Sequence, residues 1–252
     1  MKHKRREFFR KMGLAGIALG TVPNIIAQEL KSEVPTTPTL DPGMKILFQG
    51  DSITDGNRSR NDDWNHVMGH GYAYLIASRL WYDFPDKQYM FYNRGISGNT
   101  VKDLNDRWQE DTLKLNPDLI SILAGVNDIF YDIYDQKTID YKALMESYSE
   151  LIEKSRENNP NVKIVLCEPF TLRVGHVEKD PANWESKVGK LQELVRELAA
   201  TYKAHFVALQ KPFNDHLKLA PAKYWIWDGI HPMPAGHELI AREWLKQTQG
   251  LY

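Results

Sequence analysis

Five short apolar runs alternate with longer stretches of helical spacing, and this alternation restricts the fold more than any other feature of the chain. The runs cover residues 45–49, 89–93, 119–124, 163–167 and 205–208. Between them, residues 72–81, 101–113, 141–156 and 187–202 carry apolar side chains three and four positions apart, the signature of an amphipathic helix. Leu144, Tyr148, Leu151 and Ile152 form one such stripe; Val188, Leu191, Leu194, Val195 and Leu198 form another. Strands alternating with helices are joined by right-handed crossovers, which predicts a mostly parallel sheet covered on both faces. A last helix is expected from Pro234, a residue suited to a first turn, with Leu239, Ile240, Trp244 and Leu245 turned inward. No repeat or low-complexity tract interrupts the pattern.

The first 27 residues stand outside it. Residues 1–11 are strongly basic and are followed by a small-and-apolar run, Met12 to Ile26, too short for a comfortable membrane span. A charged n-region before a short apolar h-region reads as an export signal. Arg5-Arg6-Glu7-Phe8-Phe9-Arg10-Lys11 resembles the twin-arginine export motif. Cleavage is placed after Ala27, with Ile25 bulkier than ideal at the −3 position. Residues 28–43, with Pro35, Pro38 and Pro42, are read as an exposed leader, and 44–252 as a single domain. The expected location is periplasmic or extracellular, with no stable membrane association after cleavage.

Charge and cysteine content exclude several function classes. The whole chain balances at 32 − 33 = −1, but residues 1–27 hold six basic residues and one acidic residue, so the remainder carries 26 − 32 = −6. That remainder has no lysine or arginine cluster to form a basic face, so no nucleic-acid partner is expected. Cys167 is the only cysteine, which rules out an intramolecular disulfide and a cysteine metal cluster. It sits in an apolar strand and reads as a buried thiol. His66 and His70 flank Gly69 without a carboxylate ligand set, so no metal and no cofactor are expected.

Four polar segments stand at or just beyond the predicted strand ends or before the last helix: 50–52, 93–100, 125–128 and 228–232. The carboxyl ends of parallel strands are where α/β folds collect their chemistry. Ser52 is a candidate nucleophile, and a serine hydroxyl needs a neighbouring base. His231 can be that base, and Asp228, three residues earlier, can reach its other ring nitrogen. The backbone N–H groups of Ser52 and Gly98, with the Asn127 side-chain amide, can hold a tetrahedral oxyanion. Singly, each segment also has an ordinary reading as a turn or helix cap. Jointly they supply nucleophile, donors, acid and base in order.

These segments resemble the four sequence blocks of the SGNH (GDSL-type) hydrolases, from Lys45 to the terminal helix. The resemblance implies a flavodoxin-like, three-layer α/β/α sandwich and a serine esterase. It implies Ser52 as nucleophile, Gly98 and Asn127 as oxyanion donors, and His231 as base oriented by Asp228. The competing α/β-hydrolase pattern needs Gly-x-Ser-x-Gly, and no serine here has glycine on both sides at that spacing.

Residues 95–103, Arg107-Trp108 and the run from His231 to His237 resemble the branch that includes acetyl-xylooligosaccharide esterases. That resemblance points to removal of short acyl groups, O-acetyl above all, from an oligo- or polysaccharide. Asp51 and Arg58 beside Ser52, and Trp225 and Trp227 beside His231, are candidate substrate contacts; the two tryptophans fit core packing equally well. A lysophospholipid, other lipid or aryl ester would use the same site, and a non-catalytic carbohydrate-binding protein could be built on the same fold. Related carbohydrate esterases assemble into multimers, so the resemblance leaves a homo-oligomer open.

Overall fold

The central strands are apolar on both faces because both faces are covered. In a computed structural model, which describes residues 43–61, 66–135 and 137–252, β1 (Lys45–Gly50) buries Ile46, Leu47 and Phe48 completely. Every residue of β3 (Leu119–Leu123) is buried too. Strands hydrogen-bonded on both edges and covered above and below read as continuous apolar runs rather than alternating ones. With β2 (Met90–Asn93), β4 (Lys163–Cys167) and β5 (His205–Val207), they make a five-stranded, all-parallel sheet in the order β2-β1-β3-β4-β5. The expected export signal and most of the leader, residues 1–42, lie outside the described residues, as do residues 62–65 of the polar loop after Ser52.

Helices cover both faces, giving the three-layer α/β/α sandwich. After β1 come the one-turn α1 (Ser52–Asp55) and α2 (Tyr72–Asp83); after β2 come α3 (Val101–Asp106) and α4 (Trp108–Asp111). β3 leads to α5 (Val126–Asp135) and α6 (Tyr141–Asn158), and β4 to α7 (Gly175–Lys179) and α8 (Pro181–Thr201). The chain closes with α9 (Gln210–His216), α10 (Ala222–Trp225) and α11 (Pro234–Gln247). α2 packs on α11 on one face; α3, α6 and α8 pack in sequence on the other. Trp244 reaches through the core to Phe48 (ring centroids 5.7 Å apart) and donates its indole N–H to Ser121 Oγ at 3.0 Å, so the aromatic bulk is buried without stranding its polar edge.

Two of the predicted helices change extent, and α5, α7, α9 and α10 are helices that the spacing did not predict. The helix predicted over 101–113 is broken at Arg107, whose side chain is drawn to the strand ends. Its guanidinium donates to the carbonyls of Gly50 (3.2 Å) and Arg94 (2.8 Å), and to Gln49, Asn99 and Asp111. α8 starts at Pro181 rather than at 187, because Trp184 extends the stripe of Val188 and Leu191 by one turn toward the N-terminus.

This topology decides where a site can form. From β1 the chain crosses to β2 on one side, and β3 lies on the other side of β1. Loops from β1 and β3 therefore diverge above their carboxyl ends and leave a crevice there.

Candidate active site

β1 delivers Ser52 to that crevice. Asp51 is the N-cap of α1 and accepts the Ile53 N–H at 3.0 Å; Gly56, in the left-handed region, ends the helix one turn later. Ser52 is thus the first helical residue, whose N–H has no partner within the helix. Among the described residues no acceptor is bonded to that N–H.

The last loop delivers the other two groups. Ser52 Oγ lies 2.8 Å from His231 Nε2, and His231 Nδ1 lies 2.6 Å from Asp228 Oδ2. Asp228 Oδ1 accepts the backbone N–H groups of Ile230 (3.0 Å) and His231 (2.7 Å), so the carboxylate shapes the turn that presents the imidazole. The loop after β4 pins this turn from behind: Leu172 N–H donates to the Gly229 carbonyl and His176 N–H to that of Asp228. Gly229 has φ +100°, and a Cβ there would fall 2.5 Å from the Val174 carbonyl oxygen, so only glycine fits.

Electrostatics match the geometry. Burial alone would raise the Asp228 carboxyl, but the hydrogen bonds from His231 and two backbone amides outweigh it and hold the pKa below the ordinary carboxylate value. The bond to Asp228 raises His231 above the ordinary 6.5, against the opposing effect of burial. In the neutral imidazole, Asp228 keeps the proton on Nδ1, which leaves Nε2 free to accept from the serine hydroxyl.

The loop after β2 is stitched to α1 and β1. Ile96 N–H donates to the Gly50 carbonyl (3.1 Å), Ser97 N–H and Oγ donate to Asp55 Oδ2 (3.1 and 3.0 Å), and Asn93 Nδ2 donates to the Thr54 carbonyl (2.7 Å). Gly98 lies in this loop with φ +84°. Its carbonyl accepts from Tyr131 Oη at 3.0 Å, and the next carbonyl, that of Asn99, accepts from Asn127 Nδ2 at 3.0 Å. Among the described residues the Gly98 N–H has no bonded acceptor. α5 therefore braces the loop with two side chains one turn apart, Asn127 and Tyr131.

The candidate substrate contacts divide. Asp51 is 1 % exposed and faces inward as a helix cap, so it does not meet solvent or substrate; its second carboxylate oxygen borders a water-sized cavity lined by Ile53, Leu123, Ala124, Val126, Pro169 and Phe170. Burial pushes its pKa up to about 6. Trp225 is 9 % exposed, packs edge-on against His216 and donates to the Ala220 carbonyl, which makes it a core residue. Trp227 is 58 % exposed and stacks on the His231 ring at 6.1 Å and 25°. Arg58 is nine-tenths buried, donates through Nε to the Gly95 carbonyl (2.9 Å) and borders a cavity of about 380 Å³.

Sequence reasoning did not single out Asp55 or Tyr131, and gave no role to Asp128 or His237. Asp55 accepts from Ser97 and Arg60, and these bonds overcome burial to lower its pKa. Tyr131 stands four residues after Asn127, a spacing that marks it once 126–135 is read as a helix rather than a turn. Asp128 accepts the Val101 N–H (3.2 Å), and burial raises its pKa to about 7. His237 accepts the Tyr72 N–H at the start of α2 (3.2 Å), and burial lowers it to about 4. Among the described residues no three His, Cys, Asp or Glu side chains are grouped to hold a metal ion, and no helix is long and apolar enough to cross a membrane.

A serine, an imidazole and a carboxylate in line at the switch point of a flavodoxin-like sheet describe a hydrolase. The GDSL-like lipase/acylhydrolase family model matches residues 48–239, and the chain belongs to that family. An acetylxylan esterase from Geobacillus stearothermophilus is 35 % identical over 210 residues, 81 % of this chain and 94 % of the relative. Among solved structures, a protein described as a GDSL-like lipase from Parabacteroides merdae shares 39 % identity with a TM-score of 0.79, covering 84 % of this chain and 98 % of the other. A catalytic mutant of the Geobacillus acetylxylan esterase superposes with a TM-score of 0.73 at 31 % identity, covering 83 % and 96 %. The protein is a carboxylic ester hydrolase.

Proposed function

We propose that this chain is an exported esterase that removes O-acetyl groups from an oligo- or polysaccharide, with Ser52 as nucleophile. The carrying observation is the unbroken hydrogen-bond line from Ser52 Oγ through His231 to Asp228. Ser52 attacks the ester carbonyl as His231 Nε2 takes its proton, and Asp228 stabilises the imidazolium. Negative charge collects on the former carbonyl oxygen and is held by the N–H groups of Ser52 and Gly98 and by the Asn127 amide. His231 then protonates the departing sugar oxygen. Water, activated by the same histidine, releases acetate from the acyl-serine.

The likeness to an acetylxylan esterase supports acetyl as the acyl group and carbohydrate as its carrier. Trp227, exposed beside His231, offers an apolar face to a sugar ring. The basic and then apolar start of the chain supports export to the periplasm or beyond.

Acetate release from acetylated xylan, pectin and peptidoglycan tests the reading. The wild-type protein is expected to release acetate from xylan fastest, and Ser52→Ala to lose at least about a thousandfold in kcat/KM. A folded Ser52→Ala protein that keeps the wild-type rate would overturn it, and rates rising from acetyl to octanoyl esters would point to lipid instead.

A further inference from the structure

The cavity bordered by Arg58 is basic in a way the active site does not explain. Arg58, Arg60 and Arg94 line it together with Tyr92 and Asn93, at the carboxyl end of the edge strand β2. Three guanidinium groups around one concavity repel one another unless counter-charge is supplied. Among the described residues, two carboxylates act on the Arg58 charge, Asp55 and Asp111, and each is bonded to the side chain of another arginine. Asp55 takes both terminal nitrogens of Arg60, at 3.0 and 2.7 Å, in addition to Ser97. Asp111 is paired with Arg107 at 2.7 Å.

The Arg58 side chain donates through Nε to the Gly95 carbonyl. Among the described residues no acceptor is bonded to its two terminal nitrogens, nor to any side-chain nitrogen of Arg94. Burial, with Arg60 and Arg94 adding repulsion against the pull of Asp55, lowers the Arg58 pKa to about 10. A nine-tenths-buried arginine that lines a cavity of about 380 Å³, with no acceptor among the described residues on its terminal nitrogens, has the chemistry to take an anion.

We propose that Arg58 and Arg94 form a subsite for a carboxylate carried by the carbohydrate substrate, a uronic acid unit on an acetylated oligosaccharide. The planar fork of arginine suits a carboxylate, and the location suits a substrate group. Gly95, which anchors Arg58, opens the loop in which Gly98 stands three residues on. Ser97, between them, is bonded to Asp55 of the helix that begins at Ser52. One loop therefore runs from the anchor of Arg58 to Gly98, and the proposal has one oligosaccharide reach both places. The inference rests on the esterase reading of Ser52.

The test compares kcat/KM on two acetylated xylo-oligosaccharides, one with and one without a glucuronosyl branch, with 4-nitrophenyl acetate as a carbohydrate-free reference. The wild-type protein is expected to favour the acidic substrate about tenfold or more. Arg94→Gln is expected to bring that ratio close to one, and Arg58→Lys to reduce it. In parallel, glucuronate and inorganic phosphate are titrated against the wild-type protein while the arginine side-chain N–H resonances are followed; glucuronate is expected to shift the Arg58 signal.

Equal kcat/KM on the acidic and neutral oligosaccharides, with 4-nitrophenyl acetate still turned over and no glucuronate binding, would overturn the subsite and leave the esterase intact. Absence of 4-nitrophenyl acetate turnover would instead overturn the esterase reading, whatever the arginines bind. Phosphate bound as tightly as glucuronate, without any acidic preference in turnover, would identify a free-anion site and overturn the substrate subsite.

Discussion

In the proposed reaction His231 takes a proton from Ser52, so it has to be neutral before substrate arrives, and Asp228 makes that harder while making the proton transfer easier. Its carboxylate holds the His231 pKa above 6.5, so kcat/KM on 4-nitrophenyl acetate is expected to rise with pH along a limb centred above that value. In Asp228→Asn the amide can no longer stabilise the imidazolium and can hold the wrong tautomer. The rate is expected to fall by about 10³ to 10⁴, with the surviving limb moved to lower pH. A pH–rate profile of the two proteins checks this, and a limb that stays in place would remove His231 as the titrating group. At this scale the sequence showed which residue types stand at the βα junctions, but not which way neighbours turn. Asp51 and Ser52 are adjacent, yet one caps a helix inward and the other faces the crevice. Trp225 and Trp227 are two apart, yet one is core and the other surface. Those directions depend on a cap and on an antiparallel bridge between Ile226 and Pro232, and neither leaves a periodic trace.

Elements act on the site through braces. α5 carries Asn127 and Tyr131 on one face, and Tyr131 Oη holds the carbonyl of Gly98 at 3.0 Å. That hydroxyl is bonded to the loop, so Tyr131 is expected to act as a positioning residue. With Gly98 as the proposed oxyanion donor, Tyr131→Phe is expected to lower kcat about tenfold with little change in KM, since such a donor matters most in the transition state. Its melting temperature should fall by no more than the few degrees that one lost hydrogen bond implies. Steady-state kinetics and a thermal melt decide the matter: a loss confined to KM would show that Tyr131 contacts substrate instead. Residues 126–135 did not stand out as a helix because their first turn, Val126-Asn127-Asp128, reads equally well as an Asx turn. The opposite error occurred over 101–113, where uninterrupted helical spacing hid the break at Arg107. No glycine or proline marks that break; it follows from five acceptors at the ends of β1 and β2 and in the segments beside them, visible only once the strands are paired.

The whole molecule was the most legible scale, because alternation of strand and helix and burial of both sheet faces are averages over many residues. Ile46 to Phe48 and Leu119 to Leu123 announce central strands by being apolar throughout. Titration of the whole fold is different, since it depends on individual buried groups. Asp128 has a folded pKa of about 7, raised chiefly by burial from an ordinary 3.8, so its ionisation costs stability above pH 7 and that cost is relieved as pH falls toward 4. Asp51, raised to about 6, acts in the same sense. His237 acts oppositely: lowered to about 4, it favours the fold above 6.5 and loses that contribution as pH falls from 6.5 to 4. Asp51 and His237 therefore offset each other between pH 6 and 4, which leaves Asp128, with the raised His231 acting in the same sense, to tilt the curve near neutrality. Asp128→Asn keeps an acceptor for the Val101 N–H but cannot ionise. It is expected to raise the melting temperature at pH 8 by about 3–6 °C, and by less at pH 5, where the wild-type carboxyl is already protonated in the fold. Differential scanning calorimetry at the two pH values separates this from a packing effect, which would shift both melts equally; equal shifts would mean that Asp128 is not the group whose charge the fold pays to bury.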